Sequence, residues 1–279
     1  MNHPWMPVSP CGDQCMPPRD RDGEVGLLHL ALRLSGVVAL LIGGCVLALA
    51  LPVLGTVWRQ QALVAWFRTL LRALGIRIVL DGGMPAGGAL VVCNHVSWLD
   101  IVALQVLCPM RMLAKVEVGS WPLLGPLAGR VGTVYIDRER LSALPDSVRT
   151  IADELRAGAV IGAFPEGTTW CGRAIGTFRP AVFQAAVDAG ARMQPVALRF
   201  RDRTGQVTTA AAFLGETTLV SSVLTVARTR GLVVELVVLP ELRGSDRREL
   251  ARRAQESIAA AIGAAHGHRV ERPSHRLAA

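Results

Sequence analysis

A histidine and an aspartate stand five residues apart in Asn94-His95-Val96-Ser97-Trp98-Leu99-Asp100, between an apolar run, ALVVC, and a helix-like run, IVALQVL. His95 is the only histidine between His29 and His266. An imidazole titrates near neutrality and can take a proton from a hydroxyl when its other nitrogen is held. In a straight helix, side chains five positions apart point about 140° away from each other. The two residues can therefore meet only if His95 lies in a turn and Asp100 in the first turn of the helix that follows. In that arrangement the carboxylate orients the ring and leaves the second nitrogen as a base. The plainer alternative is an aspartate capping a helix beside a loop histidine.

Three further blocks carry groups that bind or polarise. In Ile161-Gly162-Ala163-Phe164-Pro165-Glu166-Gly167-Thr168-Thr169 a strand runs into Pro165, which cannot continue a central ladder. Glu166 and Gly167 then form a turn whose backbone N–H groups and carboxylate could cradle an anion or orient a polyol, or simply end the strand. In Gly132-Thr133-Val134-Tyr135-Ile136-Asp137-Arg138 a strand delivers an arginine suited to clamping phosphate, or to pairing with Asp137 or Glu139. In Gln194-Pro195-Val196 a proline interrupts a strand and predicts an edge or a bulge.

The elements that must position these groups are legible in the patterning. IRIVL, ALVVC, MRMLA, GTVYI, AVIGAF, MQPVALRF and LVVELVVL read as strands, and 141–157, 180–190 and 246–265 as amphipathic helices. This alternation predicts an α/β fold: a mixed, largely buried β-sheet flanked by helices. An N-terminal membrane-anchoring helix or helix pair precedes it. Leu34 to Trp58 contains no charge, with Arg33 and Arg59 as brackets. That run spans about 37 Å as a helix, against a hydrocarbon core of about 30 Å. Pro52 is expected to kink it or end it, and residues 60–75 suit a second, interfacial helix. A secretory signal peptide fits poorly, since the run is long and its leading flank carries acids as well as bases. The expected divisions are a disordered tail at 1–24, an anchoring segment at 25–75, a catalytic α/β domain at 76–265 and a basic tail at 266–279.

Composition agrees with a membrane setting. The chain has 279 residues, 51% of them hydrophobic, and a mean hydropathy of +0.37. Its net charge is +8, almost wholly arginine, with Lys115 the single lysine. That points to anionic lipid or a phosphate-bearing substrate. Nucleic acid is not implied, because no basic cluster interleaves with aromatics. Cys45, Cys93 and Cys108 lie in apolar runs as buried thiols, while Cys11 and Cys15 have no second pair at zinc spacing. No metal site and no disulfide framework is expected, and a reducing, cytosol-facing domain is.

In order and spacing the four blocks, NHVSWLD, GTVYIDR, FPEGTT and QPVAL, resemble those of the glycerolipid acyltransferase family, which contains the 1-acylglycerol-3-phosphate acyltransferases. The resemblance covers about residues 75–240. It implies transfer of a fatty acyl group from acyl-CoA or acyl carrier protein, as co-substrate, to a free hydroxyl of a lysolipid, with no cofactor. It implies His95 as general base, Asp100 as its support, and Arg138, Glu166, Gly167 and Thr168 as contacts to the acceptor. It implies a catalytic domain on the cytoplasmic face of the cell membrane. Two positions depart from the phosphatidic-acid-forming pattern: Thr169 stands where an arginine is common, and Phe178-Arg179-Pro180-Ala181 where Phe-Lys-x-Gly is. Arg179 and Arg173 are the cations that could compensate. The main reading is acylation of 1-acyl-sn-glycerol-3-phosphate to phosphatidic acid. The alternatives are the same chemistry on another acceptor such as lyso-ornithine lipid, and a catalytically silent protein that binds anionic lipid.

Overall fold

The computed structural model describes residues 7–17, 23–84, 87–121, 124–137, 140–263 and 265–266. In chain order the helices are α1 (Leu27–Ala50), α2 (Thr56–Ala73), α3 (Leu99–Leu107), α4 (Val116–Gly119), α5 (Leu124–Arg130), α6 (Leu144–Arg156), α7 (Ala181–Ala189), α8 (Leu219–Arg228) and α9 (Arg247–Ile262). The strands are β1 (Arg77–Asp81), β2 (Ala89–Cys93), β3 (Arg111–Lys115), β4 (Val134–Ile136), β5 (Val160–Ala163), β6 (Ala174–Ile175), β7 (Arg192–Arg201), β8 (Val233–Val238) and β9 (Ala265–His266). Seven of them form one sheet in the order β1-β8-β7-β2-β5-β3-β4. Each of the seven apolar runs picked out in the sequence is a strand of it.

The five strands from β7 to β4 are parallel, and β8 turns antiparallel to β7. Helices cover both faces. Val91, Cys93, Leu198 and Phe200 pack with α2, α3 and α8 on one side. Leu90, Val92, Ile161 and Met193 pack with α6, α7 and α9 on the other. Burial on both faces is why ALVVC reads as an unbroken apolar run rather than an alternating one.

Pro195 overturns the expected edge and keeps the expected bulge, since residues 194–195 lie opposite 239–241 between the Val196–Val238 and Met193–Leu242 pairs. Its strand, β7, is central, flanked by β2 and β8. The ladder to β8 begins only at Val196, opposite Val238. Beyond it Pro195 O accepts from Leu239 N–H, and the Gln194 side-chain amide donates to Leu239 O. Gln194 thus supplies the donor that the proline lacks.

The N-terminal helices form a hairpin. α1 begins at Leu27, ahead of Arg33, so the uncharged run does not set its start. Inside the helix Arg33 reaches out to the last carbonyls of α8, Ala227 O at 2.8 Å and Thr229 O at 2.9 Å. Such C-terminal carbonyls have no intrahelical donor and favour a cation. Pro52 ends the helix in a single 3-10 turn. Gly44 lets the Trp66 ring of α2 approach, and Trp66 Nε1–H donates to Leu40 O at 2.9 Å. Leu27–Val53 is long and apolar enough to cross a membrane. Leu28, Leu32, Val38, Ile42, Val46 and Leu49 remain exposed on it, a face that suits lipid better than water.

The Pro-rich N-terminal stretch departs from the tail that its composition predicts. In its described part, Cys11 is buried, Asp13–Cys15 makes a 3-10 turn, and the Thr209 hydroxyl donates to Cys15 O at 2.8 Å. Short apolar anchors and one partly buried hydrogen bond fix a segment too brief to show periodicity. Apart from His266, the basic C-terminal tail lies outside the described residues.

Candidate active site

β2 and β5 are adjacent, parallel and in register, with Val92 opposite Ala163. Their carboxyl ends therefore release the two motif loops side by side, where α/β sheets place reactive groups. Asn94 continues the β2 ladder by its side chain: Nδ2–H donates to Leu198 O and Oδ1 accepts from Leu198 N–H, both at 2.9 Å. This fixes the point at which the chain leaves the sheet for His95.

His95 lies in the turn and Asp100 in the first turn of α3, the one geometry in which they can meet. His95 Nδ1 is 2.8 Å from Asp100 Oδ2. The same oxygen accepts from Val96 N–H at 2.6 Å and Ser97 N–H at 2.8 Å. Asp100 is fully buried, while the His95 side chain keeps 19% of its surface. One carboxylate oxygen thus holds both the ring and the loop that carries it. The His95 ring also lies flat on Phe164, centroids 3.9 Å apart and planes 10° from parallel. Trp170 N–H donates to His95 O at 2.7 Å. These contacts leave Nε2 as the nitrogen facing outward, able to take a proton.

Glu166 sits behind this assembly, against the expectation of an exposed carboxylate. It is 3% exposed. Its Oε2 accepts from His95 N–H at 2.5 Å and its Oε1 from Gly176 N–H at 2.6 Å. Burial pushes its carboxyl up to about 8; the Gly176 and His95 amides pull it down, and the nearby Asp100 charge pushes it up again. The reason for the reversal is local: the turn at Gly167, with φ +74° and its N–H on Phe164 O, directs the glutamate inward. Both oxygens then meet backbone donors before they can meet a ligand.

Gly167 and Thr168, both half-buried, follow Glu166 in the turn. Arg179, whose N–H donates to Pro165 O, brings its Cδ within 3.9 Å of the Cβ position at Gly167. It makes no ion pair among the described residues. Arg138 lies outside the described residues; β4, which precedes it, ends on the same sheet edge three strands from β2. Thr169 is turned inward, its hydroxyl donating to Phe213 O at 2.5 Å. Cys93 is buried, and burial, with the Asp100 and Glu166 charges, raises its thiol well above the ordinary range, which removes it as a nucleophile. The helix start offers no oxyanion hole at Val96, Ser97 or Leu99, since Asp100 and the Ser97 hydroxyl occupy those N–H groups.

The acyltransferase family profile matches residues 75–199. Over 210 residues the chain is 35% identical to a 1-acyl-sn-glycerol-3-phosphate acyltransferase of Neisseria gonorrhoeae, covering 73% of this chain and 82% of the relative. Over 242 residues it is 37% identical to a lyso-ornithine lipid O-acyltransferase of Pseudomonas aeruginosa, covering 85% of this chain and 93% of the relative. The chain belongs to the acyltransferase family. A crystal structure of the 1-acyl-sn-glycerophosphate acyltransferase PlsC from Thermotoga maritima shares the fold, with a TM-score of 0.67 and 17% identity over 85% of this chain and 94% of that one. The acyltransferase is thus an O-acyltransferase of lipid biosynthesis.

Arg179 and Asn94 gave a sequence signal, the first as a possible replacement for a lysine, the second as part of the first block. Phe164 stood only as part of the second block, and Trp170 and the buried role of Glu166 gave no signal, because each depends on β5 lying beside β2.

Proposed function

We propose that this acyltransferase moves a fatty acyl group from acyl-CoA or acyl carrier protein to the free hydroxyl of 1-acyl-sn-glycerol-3-phosphate, giving phosphatidic acid. The observation that carries the reading is the His95–Asp100 pair, held at 2.8 Å at the mouth of the motif loops. His95 Nε2 takes the acceptor proton as the hydroxyl oxygen attacks the thioester carbonyl. The carbon–oxygen bond forms, the carbon–sulfur bond breaks, and the proton passes to the departing thiolate. Asp100 keeps the proton of the resting ring on Nδ1 and stabilises the imidazolium that forms between the two steps. The N–H groups of Thr168 and Thr169, which have no internal partner among the described residues, are available to the oxyanion. Arg179 and Arg138 receive the acceptor phosphate, with Gly167 and Thr168 lining its approach. Glu166 acts through His95 by fixing its backbone.

With α1 in the bilayer, the domain lies at the membrane surface on the cytoplasmic side, where thioester donors are found, and a lysolipid enters without leaving its leaflet. Arg59, Arg68, Arg72 and Arg77 after the apolar run support that orientation.

One observation favours a second acceptor. Thr169 occupies the position of a common arginine and is locked to Phe213 O, so it adds no charge to the site. That suits a phosphate-free lysolipid, and relatives named lyso-ornithine lipid O-acyltransferases include those of Pseudomonas aeruginosa and Rhodobacter capsulatus. Purified protein offered labelled acyl-CoA or acyl carrier protein with each lysolipid decides. His95-dependent product from lysophosphatidic acid supports the first reading. Product from lyso-ornithine lipid alone replaces it. Acyl transfer that survives His95→Ala removes the mechanism.

A further inference from the structure

Three thiols converge at the end of the motif loop, beyond Trp170. Cys11 and Cys15 lie on the N-terminal segment and Cys171 follows the motif loop, and their sulfurs all lie within 4.8 Å of one another. Cys11 and Cys171 are 8% and 2% exposed, and Cys15 is half-buried. Sequence spacing hides the group, because the third cysteine comes from 156 positions beyond Cys15.

The cluster is built by the backbone. Cys15 N–H donates to Gly12 O at 2.9 Å and Met16 N–H to Asp13 O at 3.0 Å, closing a turn that brings the first two thiols to one side. The Thr209 hydroxyl fastens that turn to the domain. Burial pushes the Cys11 thiol up to about 11, while contacts with Ser9 and the Cys171 backbone pull it down, so its deprotonation has to come with a bound ion. Pro7 lies over Gly167, its Cγ 2.8 Å from the Cβ position there. The N-terminal segment therefore runs along the whole loop from Gly167 to Cys171.

We infer that Cys11, Cys15 and Cys171 form a thiolate site for a divalent ion of the zinc class, clasping the N-terminal segment to the catalytic loop. Tetrahedral zinc with bonds of about 2.3 Å to sulfur sets its sulfurs roughly 3.8 Å apart, compatible with the observed separations. A disulfide would use two of the three thiols and leave the third. Soft thiolates select thiophilic ions over magnesium or calcium. Binding of the ion releases three thiol protons to solvent and leaves a site of net charge −1, with the fourth position open to water. The clasp fixes the loop that carries Glu166, five residues before Cys171, and so steadies the backbone of His95 from outside the reacting centre.

The full chain, purified in detergent without chelators, tests this by metal analysis. About one zinc per chain is expected, with Cys11→Ser, Cys15→Ser and Cys171→Ser at background and Cys45→Ser unchanged. Wild-type protein stripped of metal should take up cobalt(II) with an intense thiolate charge-transfer band. The number of its six cysteines that react with a thiol reagent under native conditions should fall as cobalt binds. Because the cobalt arm uses wild-type protein, a poorly folding variant does not decide the matter. The inference is overturned if folded wild type holds neither zinc nor cobalt. It is overturned equally if the three variants keep the metal, or if peptide mapping finds Cys11 joined to Cys171 as a disulfide. None of these readings depends on which lipid the enzyme acylates.

Discussion

Glu166 and His95 are joined through the main chain of the histidine: the carboxylate accepts the His95 N–H at 2.5 Å while its other oxygen accepts Gly176 N–H. The glutamate of the second motif therefore supports the base of the first. Glu166→Gln tests the distinction, because a carboxamide turns an NH2 group towards one of the two backbone donors. A buried backbone donor left unsatisfied costs about 1–3 kcal/mol, or roughly a 5- to 150-fold fall in kcat. Steady-state kinetics should show the fall in kcat with the lysolipid KM nearly unchanged. A raised KM with normal kcat would return Glu166 to the acceptor site.

The same carboxyl sets a pH dependence. Its value is pushed up to about 8 in the fold, with 4.5 as the ordinary value. Between the two the folded protein binds more protons than the unfolded one, so stability contributed by Glu166 is greatest below about 4.5 and is lost as pH rises towards 8. Thermal unfolding of wild type and Glu166→Gln across that window should show wild type losing ground to the variant with rising pH. A constant difference would mean that Glu166 does not titrate there.

His95→Ala should lower kcat by about 10²–10⁴-fold, the usual range for general-base help. Asp100→Asn should produce a loss of similar direction, since a carboxamide carries no charge to stabilise the imidazolium. Circular dichroism of each variant separates lost chemistry from lost fold. Turnover near wild type in either would argue for water as the base.

Asn94→Ala removes both side-chain bonds to Leu198 and leaves a buried donor and acceptor unsatisfied. Each costs about 1–3 kcal/mol, and denaturant unfolding should move by a matching amount. Activity should fall as well, because Asn94 precedes His95 directly. Unchanged stability would show that the sheet end can relax to meet water.

Much of this was legible because the relevant forces are local. Seven apolar runs gave seven strands, and helical periodicity named the one turn-then-helix geometry in which His95 and Asp100 could meet. What stayed hidden depends on neighbours in space. Glu166 is a polar residue in a turn, and its inward direction appears only once β5 lies beside β2 and Gly176 lies opposite. Pro195 reads as an edge signal until Gln194 is seen supplying the missing donor. Helix α8 is short and half-polar, and its value lies in the carbonyls that it offers to Arg33. The thiols Cys11, Cys15 and Cys171 cannot be grouped by spacing at all.

The Arg33 contacts to Ala227 O and Thr229 O tie the long apolar helix rigidly to the body it carries. A loose tether would let the domain sample the aqueous volume. A rigid mount instead holds it at one height and makes encounter with lipid a two-dimensional process. The governing variable is then the mole fraction of lysolipid in its own leaflet. Adding inert phospholipid should slow the reaction even when the amount of lysolipid per millilitre is unchanged, and releasing the mount with Arg33→Ala should blunt that sensitivity.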